Sequence, residues 1–145
     1  MIQIRRAGPA DWETLKEWDR HIPAENLKKS LENGFVLIAE ENGVFAGWLR
    51  YNLFWDSIPF LNLLFVVERF RGGGVGRGLT EAWEKEMAKR NYAVVMTSTA
   101  ADEYAQHFYD RLGYRTVGGF FPPEEGYELL LEKRLNMEDK NHVCR

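Results

Sequence analysis

Cysteine is nearly absent. The 145-residue chain has one, Cys144, beside the C-terminus, so no internal disulfide can form. No cluster of Cys or His has metal-ligand spacing, so no metal is expected. No apolar run approaches the roughly 20 residues of a membrane span, and the first residues lack the apolar core of a signal peptide. Together these absences point to a reduced, soluble, cytoplasmic protein with no membrane partner. Positive charge is not in excess: 19 Lys and Arg face 22 Asp and Glu, a formal net charge of −3. That balance argues against nucleic acid as a partner, although Arg69, Arg71 and Arg77 form a local basic patch.

What is present suits one globular domain. Hydrophobic residues make up 45% and aromatics 14%, enough for a core and too much for a disordered chain. Ile2 and Ile4 alternate with polar residues as in a short strand. Trp12, Leu15 and Trp18 mark a first helix, and Leu27 and Leu31 a second that ends at Asn33-Gly34. Phe35–Ala39 and Val44–Phe54 flank Glu41-Asn42-Gly43, a hairpin turn. A strand over Ile58–Val67 comes next, followed by a glycine turn and a helix to about Arg90. Tyr92–Thr97 reads as a further strand. Thr99-x-x-Asp102 reads as the capping box of a helix running from about Ala100 to Leu112 and closed by Gly113. Tyr114–Phe121 and Tyr127–Leu131 read as two closing strands around Pro122-Pro123. The expected domain is 1–135, with 136–145 a polar, flexible tail.

The glycine turn organises the rest. Gly72, Gly73, Gly74 and Gly76 fall within Arg71–Gly76, and Val75, Leu79, Ala82, Trp83 and Met87 then follow one helical face. Glycines allow positive φ and leave room for a close ligand. Free N–H groups and the helix dipole at such a turn attract phosphate. From spacing alone, the turn is either an anion site or a surface loop before an ordinary helix. It is not a P-loop, because Gly76-Arg77-Gly78 stands where Gly-Lys-Ser/Thr is needed. Its spacing and mid-chain position also differ from the dinucleotide fingerprint.

The string Arg71-x-x-Gly74-x-Gly76, within Arg71–Leu79, closely resembles the acyl-CoA pyrophosphate loop of the GNAT superfamily of N-acyltransferases. A second block, Asp102-x-x-Ala105-x-x-Phe108-Tyr109-x-x-Leu112-Gly113-Tyr114, resembles that superfamily's other motif. With element order, the resemblance covers the chain to about Leu135. It implies an α+β fold: a mixed, mostly antiparallel sheet of about seven strands with helices on both faces. It also implies acetyl-CoA as co-substrate. Phe65, Val66, Val67, Arg71, Gly72, Gly73, Gly74, Val75, Gly76 and Arg77 would bind the cofactor, with Asp102 beside its arm. Tyr109 would protonate the leaving thiolate; the plain alternative is a core aromatic with its hydroxyl bonded to backbone.

Two departures stand out. Asp102 replaces the more usual Asn. More important, Asn62 occupies the strand position where many members carry a Glu as general base. Asn has no useful proton affinity, so it can only orient water or the amine. His21, Asp56 and Glu103 are the other candidate bases. Deprotonating a lysine-like amine at pH 7 costs about 4–5 kcal/mol, an α-amine about 1–1.5. A site without a strong base therefore suits a less basic amine, or passes the proton through water. The first helix pair, the hairpin strand and the Phe120–Glu125 loop would line the acceptor pocket, which Trp18, Tyr51, Phe54, Trp55, Phe120 and Phe121 make aromatic. Asp56, Glu124 and Glu125 either draw a cationic amine or form a solvated edge. The expectation is acetyl transfer to a small-molecule or peptide amine. The alternatives are a non-catalytic acyl-CoA-binding domain and an enzyme acting on protein N-termini or lysines. Aromatic strands near the C-terminal end offer an edge for a homodimer.

Overall fold

The computed structural model describes residues 1–102 and 104–135. In chain order its elements are β1 (Ile2–Arg6), α1 (Trp12–Trp18), α2 (Ala24–Glu32), β2 (Val36–Glu41), β3 (Val44–Phe54), β4 (Ile58–Val66), α3 (Val75–Lys89), β5 (Val94–Ala100), α4 (Ala105–Arg111), β6 (Arg115–Phe120) and β7 (Glu128–Arg134). The seven strands form one mixed sheet in the order β1-β2-β3-β4-β5-β7-β6. The pairs β1–β2, β2–β3, β5–β7 and β6–β7 are antiparallel and β4–β5 is parallel. The expected tail at 136–145, Cys144 and Glu103 lie outside the described residues.

By internal contacts the chain divides into two compact units: Met1–Asn52 with Leu63–Trp83, and Leu53–Asn62 with the residues from Glu84 onward. The first unit has its own core. Leu15 of α1 and Leu27 and Leu31 of α2 bury their stripe against Val36, Ile38 and Trp48 of β2 and β3. Phe45, Leu63 and Phe65 pack around them. Burying a side chain of this size contributes about 1.5–3 kcal/mol, which explains why these short helices hold their place. In the second unit, β5 shows the strict alternation of a half-buried strand: Val95, Thr97 and Thr99 are buried while their neighbours are only partly covered.

One local expectation fails. Thr99-x-x-Asp102 does not cap a helix, because β5 runs on to Ala100 and α4 begins at Ala105. The competing claim comes from β7: Thr99 pairs with Leu129, Ala100 with Glu128, and the Ala101 N–H donates to the Tyr127 carbonyl at 2.9 Å. Main-chain ladder bonds outweigh the local cap. Tyr104 precedes α4 instead and makes no side-chain cap bond.

Candidate functional site

The glycine turn lies in the first unit and is built from β4 onward. Gly47 of β3 lets β4 come unusually close: a Cβ at this position would sit 2.5 Å from the Phe65 carbonyl oxygen and 3.2 Å from the Val66 Cα. The Val67 N–H donates to the Ala46 carbonyl at 2.8 Å. The Val67 carbonyl in turn accepts from the Phe70 N–H at 2.8 Å, through the short 3₁₀ turn Glu68–Phe70. Both main-chain groups of Val67 are therefore occupied within the protein, and Val67 serves to lock the end of β4. A lone glycine inside an apolar strand is the signal that could have found this close approach.

Arg71 follows. Its Nε donates to the Val66 carbonyl at 2.8 Å, and its guanidinium lies 5.3 Å from the Phe65 ring centre. The side chain is exposed yet tied to the strand it leaves, so its remaining N–H groups are available at a fixed point. Gly72 and Gly74 have φ of 84° and 90°, a conformation that L side chains rarely adopt, and a Cβ at either would meet nothing within 4 Å. The Gly78 N–H donates to the Gly74 carbonyl at 2.9 Å, the opening bond of α3. The N–H groups of Val75, Gly76 and Arg77 precede that bond and lie at the helix's open end. No acidic residue occupies the first turn of α3. Free amides, dipole and clear space above the glycines fit a pyrophosphate. Arg77 shares its charge with Glu81, Nε to Oε2 at 3.1 Å, on an exposed face.

Tyr109 belongs to the second unit. It is 6% exposed, on α4. Its ring meets Phe108 at 5.1 Å and Tyr114 edge-on at 5.3 Å. Burial pushes the phenol up to about 12, with the Thr97 hydroxyl pulling partly the other way. Behind it, the Tyr114 hydroxyl donates to Glu84 Oε2 at 2.7 Å, and Lys133 donates to Glu84 Oε1 at 2.8 Å. Burial, followed by the charge of Glu84, drives the Tyr114 phenol far above its ordinary value.

The segment between α1 and α2 holds a cluster that the sequence did not announce. Asp19 is buried and accepts from Arg50 Nε at 2.8 Å, Arg50 Nη2 at 3.3 Å and Trp48 Nε1 at 3.1 Å. Its Oδ1 also accepts from the His21 N–H at 3.3 Å. The signal was Arg50, a charge within the apolar run of β3, which requires a buried partner. His21 itself is exposed, with Nδ1 3.9 Å from Asp19 Oδ1.

The remaining candidates separate. Asn62 is exposed on β4, and Asp102 is exposed in the turn before α4. Asp56 sits at the exposed β3–β4 turn with φ of 61°. Tyr51 is core, 4.9 Å from the Phe35 ring and 5.7 Å from the Trp83 ring. Trp18 packs on Phe45, Trp48 and Phe65 at 5.7–6.3 Å. Phe54 and Trp55 stack on each other at 5.3 Å and are exposed, as are Phe120 and Phe121. Among the described residues, no group of three or more His, Cys, Asp or Glu side chains is placed to hold a metal. No helix among them is long and apolar enough to cross a membrane.

A strand ending in a tied arginine, a glycine turn opening a helix, and a mixed seven-stranded sheet define an acyltransferase fold. The model of the acetyltransferase (GNAT) family matches residues 3–114, and the chain belongs to that family. It is 36% identical to the uncharacterized N-acetyltransferase YhfO of Bacillus subtilis over 103 residues, 65% of this chain and 68% of that protein. The ribosomal-protein-alanine N-acetyltransferase of Brucella melitensis superposes with a TM-score of 0.77 at 25% identity, over 92% of this chain and 99% of that one. The PaiA N-acetyltransferase of Thermoplasma acidophilum, solved with coenzyme A, superposes at 0.75 and 16% identity, over 92% and 99%.

Proposed function

We propose that this protein moves the acetyl group of acetyl-CoA onto a primary amine by direct attack, with Tyr109 as general acid. The observation that carries this reading is the Tyr109 phenol on α4, buried beside Phe108 and Tyr114 and protonated well above neutral pH. The amides of Gly72 to Arg77 and the Arg71 guanidinium hold the pyrophosphate. The main chain of Phe65 and Val66 serves the arm and the thioester oxygen. Acetyl-CoA supplies an activated acyl carbon. The amine nitrogen forms the new C–N bond as the C–S bond breaks, and Tyr109 delivers its proton to the thiolate. The amine's surplus proton leaves through water oriented by Asn62.

Asn62 narrows the acceptor. With no carboxylate at that position, an α-amine is favoured over a lysine-like one by about 3 kcal/mol of deprotonation cost. The Brucella relative, named for acting on an alanine of a ribosomal protein, supports a peptide N-terminus as acceptor.

The test is Tyr109→Phe. Thiol release from acetyl-CoA is followed with small amines and with short peptides beginning in alanine, and coenzyme A binding by calorimetry. The variant is expected to lose about 100-fold or more in kcat with coenzyme A affinity kept. An unchanged kcat removes the acid role. Tight coenzyme A binding by a wild-type protein that turns over none of the amines favours a non-catalytic acyl-CoA-binding domain.

A further inference from the structure

The end of α4 is fastened by more than a helix stop requires. The Gly113 N–H donates to the Asp110 carbonyl and the Tyr114 N–H to the Tyr109 carbonyl, both at 3.0 Å. Gly113, with φ of 97°, lets the chain turn back to make those bonds. The turn sets the Tyr114 ring edge-on against the Tyr109 ring, with centres 5.3 Å apart and planes at 69°. An apolar ring would satisfy such a stop. Tyr114 instead carries a buried hydroxyl, which donates to Glu84 Oε2 of α3 at 2.7 Å. The other oxygen of Glu84 accepts from Lys133 Nζ of β7 at 2.8 Å. Glu84 is itself only 8% exposed. Helix α3, strand β7 and the turn after α4 therefore meet at one carboxylate, all within the second unit.

We propose that Tyr114, clasped by Glu84 and Lys133, is a positioning residue that fixes the Tyr109 ring for proton delivery. The inference rests on the reading of Tyr109 as general acid. Stability alone does not account for the clasp, because a buried ionic network exchanged for apolar side chains of similar size is often neutral or stabilising. What hydrogen bonds add is direction. Their lengths and angles hold the Tyr114 ring at one place, where apolar packing lets a ring slide. The Tyr109 ring leans on that fixed edge, and Phe108 meets it as well, at 5.1 Å. A proton donor displaced by about 1 Å can lose a hundredfold in rate, so a fixed ring matters to turnover. The clasp acts through Tyr109, and no covalent bond changes at its three residues.

Two variants separate positioning from stability. Tyr114→Phe keeps the ring and removes its anchor. The triple variant Tyr114→Phe, Glu84→Met, Lys133→Met makes the whole cluster apolar. With acetyl-CoA and a tripeptide beginning in alanine as probe, each is expected to lower kcat about tenfold with KM for acetyl-CoA unchanged, while the triple variant keeps a urea midpoint at or above that of Tyr114→Phe. In a Tyr109→Phe background, Tyr114→Phe changes nothing further. A measurement that needs no acceptor accompanies these: the 13C-labelled Tyr109 ring should show no millisecond exchange by NMR relaxation dispersion in wild type, and clear exchange in both variants. An undiminished kcat in Tyr114→Phe, an equal loss in the Tyr109→Phe background, or a Tyr109 ring as still in Tyr114→Phe as in wild type overturns the proposal. Should the triple variant fail to fold, Tyr114→Phe decides alone. If Tyr109→Phe itself keeps the wild-type kcat, the acid reading has failed. If only Tyr114→Phe does, the fault lies with the clasp.

Discussion

Asp19 shows how much one residue can carry. Its side chain is fully enclosed and balances Arg50, which is 8% exposed. Removing the carboxylate strands a buried guanidinium and the Trp48 N–H together. Asp19→Ala is therefore expected to cost about 3–5 kcal/mol in a urea titration, while Asp19→Ala with Arg50→Met recovers most of that loss. A double variant no more stable than the single one would mean that the pair is not the source of the effect. The cluster was half legible. Arg50 in an apolar strand demands a partner, but nothing in the sequence selects Asp19 over the neighbouring acids Glu13, Glu17 and Glu25. Only folding α1 back over β3 makes that choice.

At the scale of elements, the end of β4 depends on a residue of another strand. Gly47 takes no part in the glycine motif, yet the β4 backbone lies against it. Gly47→Ala puts a methyl 2.5 Å from the Phe65 carbonyl, so the strand must shift. The expected cost is about 1–3 kcal/mol in thermal unfolding, with weaker coenzyme A binding by calorimetry because Phe65, Val66 and Arg71 move together. Unchanged binding would show that the end of β4 does not set the loop. Element boundaries tell a similar story. Periodicity placed α1, α2, α3 and β3 within a residue or two, since each carries its own apolar stripe. The start of α4 and the far end of β7 were misplaced, because pairing of Val94–Ala100 with Glu128–Arg134 extends both strands. Register with a distant strand leaves no local trace.

For the whole molecule, the two raised tyrosines predict alkaline sensitivity. Tyr109 and Tyr114 keep their protons in the folded state at a pH where the unfolded chain, near 10, gives them up. Their contribution to stability is complete below pH 10. It is lost as pH rises from 10 through the folded value, about 12 for Tyr109 and higher for Tyr114, at up to about 1.4 kcal/mol per pH unit for each. Urea midpoints should hold up to about pH 10 and fall steeply from there to about pH 12, less steeply in Tyr109→Phe. A flat profile would mean that both phenols ionise freely in the folded protein.

Local sequence was enough to read the family, the glycine turn that opens α3 and the helical face that carries Tyr109. Those features rest on short-range requirements: glycines where φ must be positive, and a helical spacing that puts Ala105, Tyr109 and Leu112 on one side. The pairing of Asp19 with Arg50 and the close approach of the β4 backbone to Gly47 come from tertiary contacts alone. Each of those pairs residues far apart in the chain. Buried polar groups and close backbone contacts depend on which strands meet and in what register, and no local pattern of residue types encodes that.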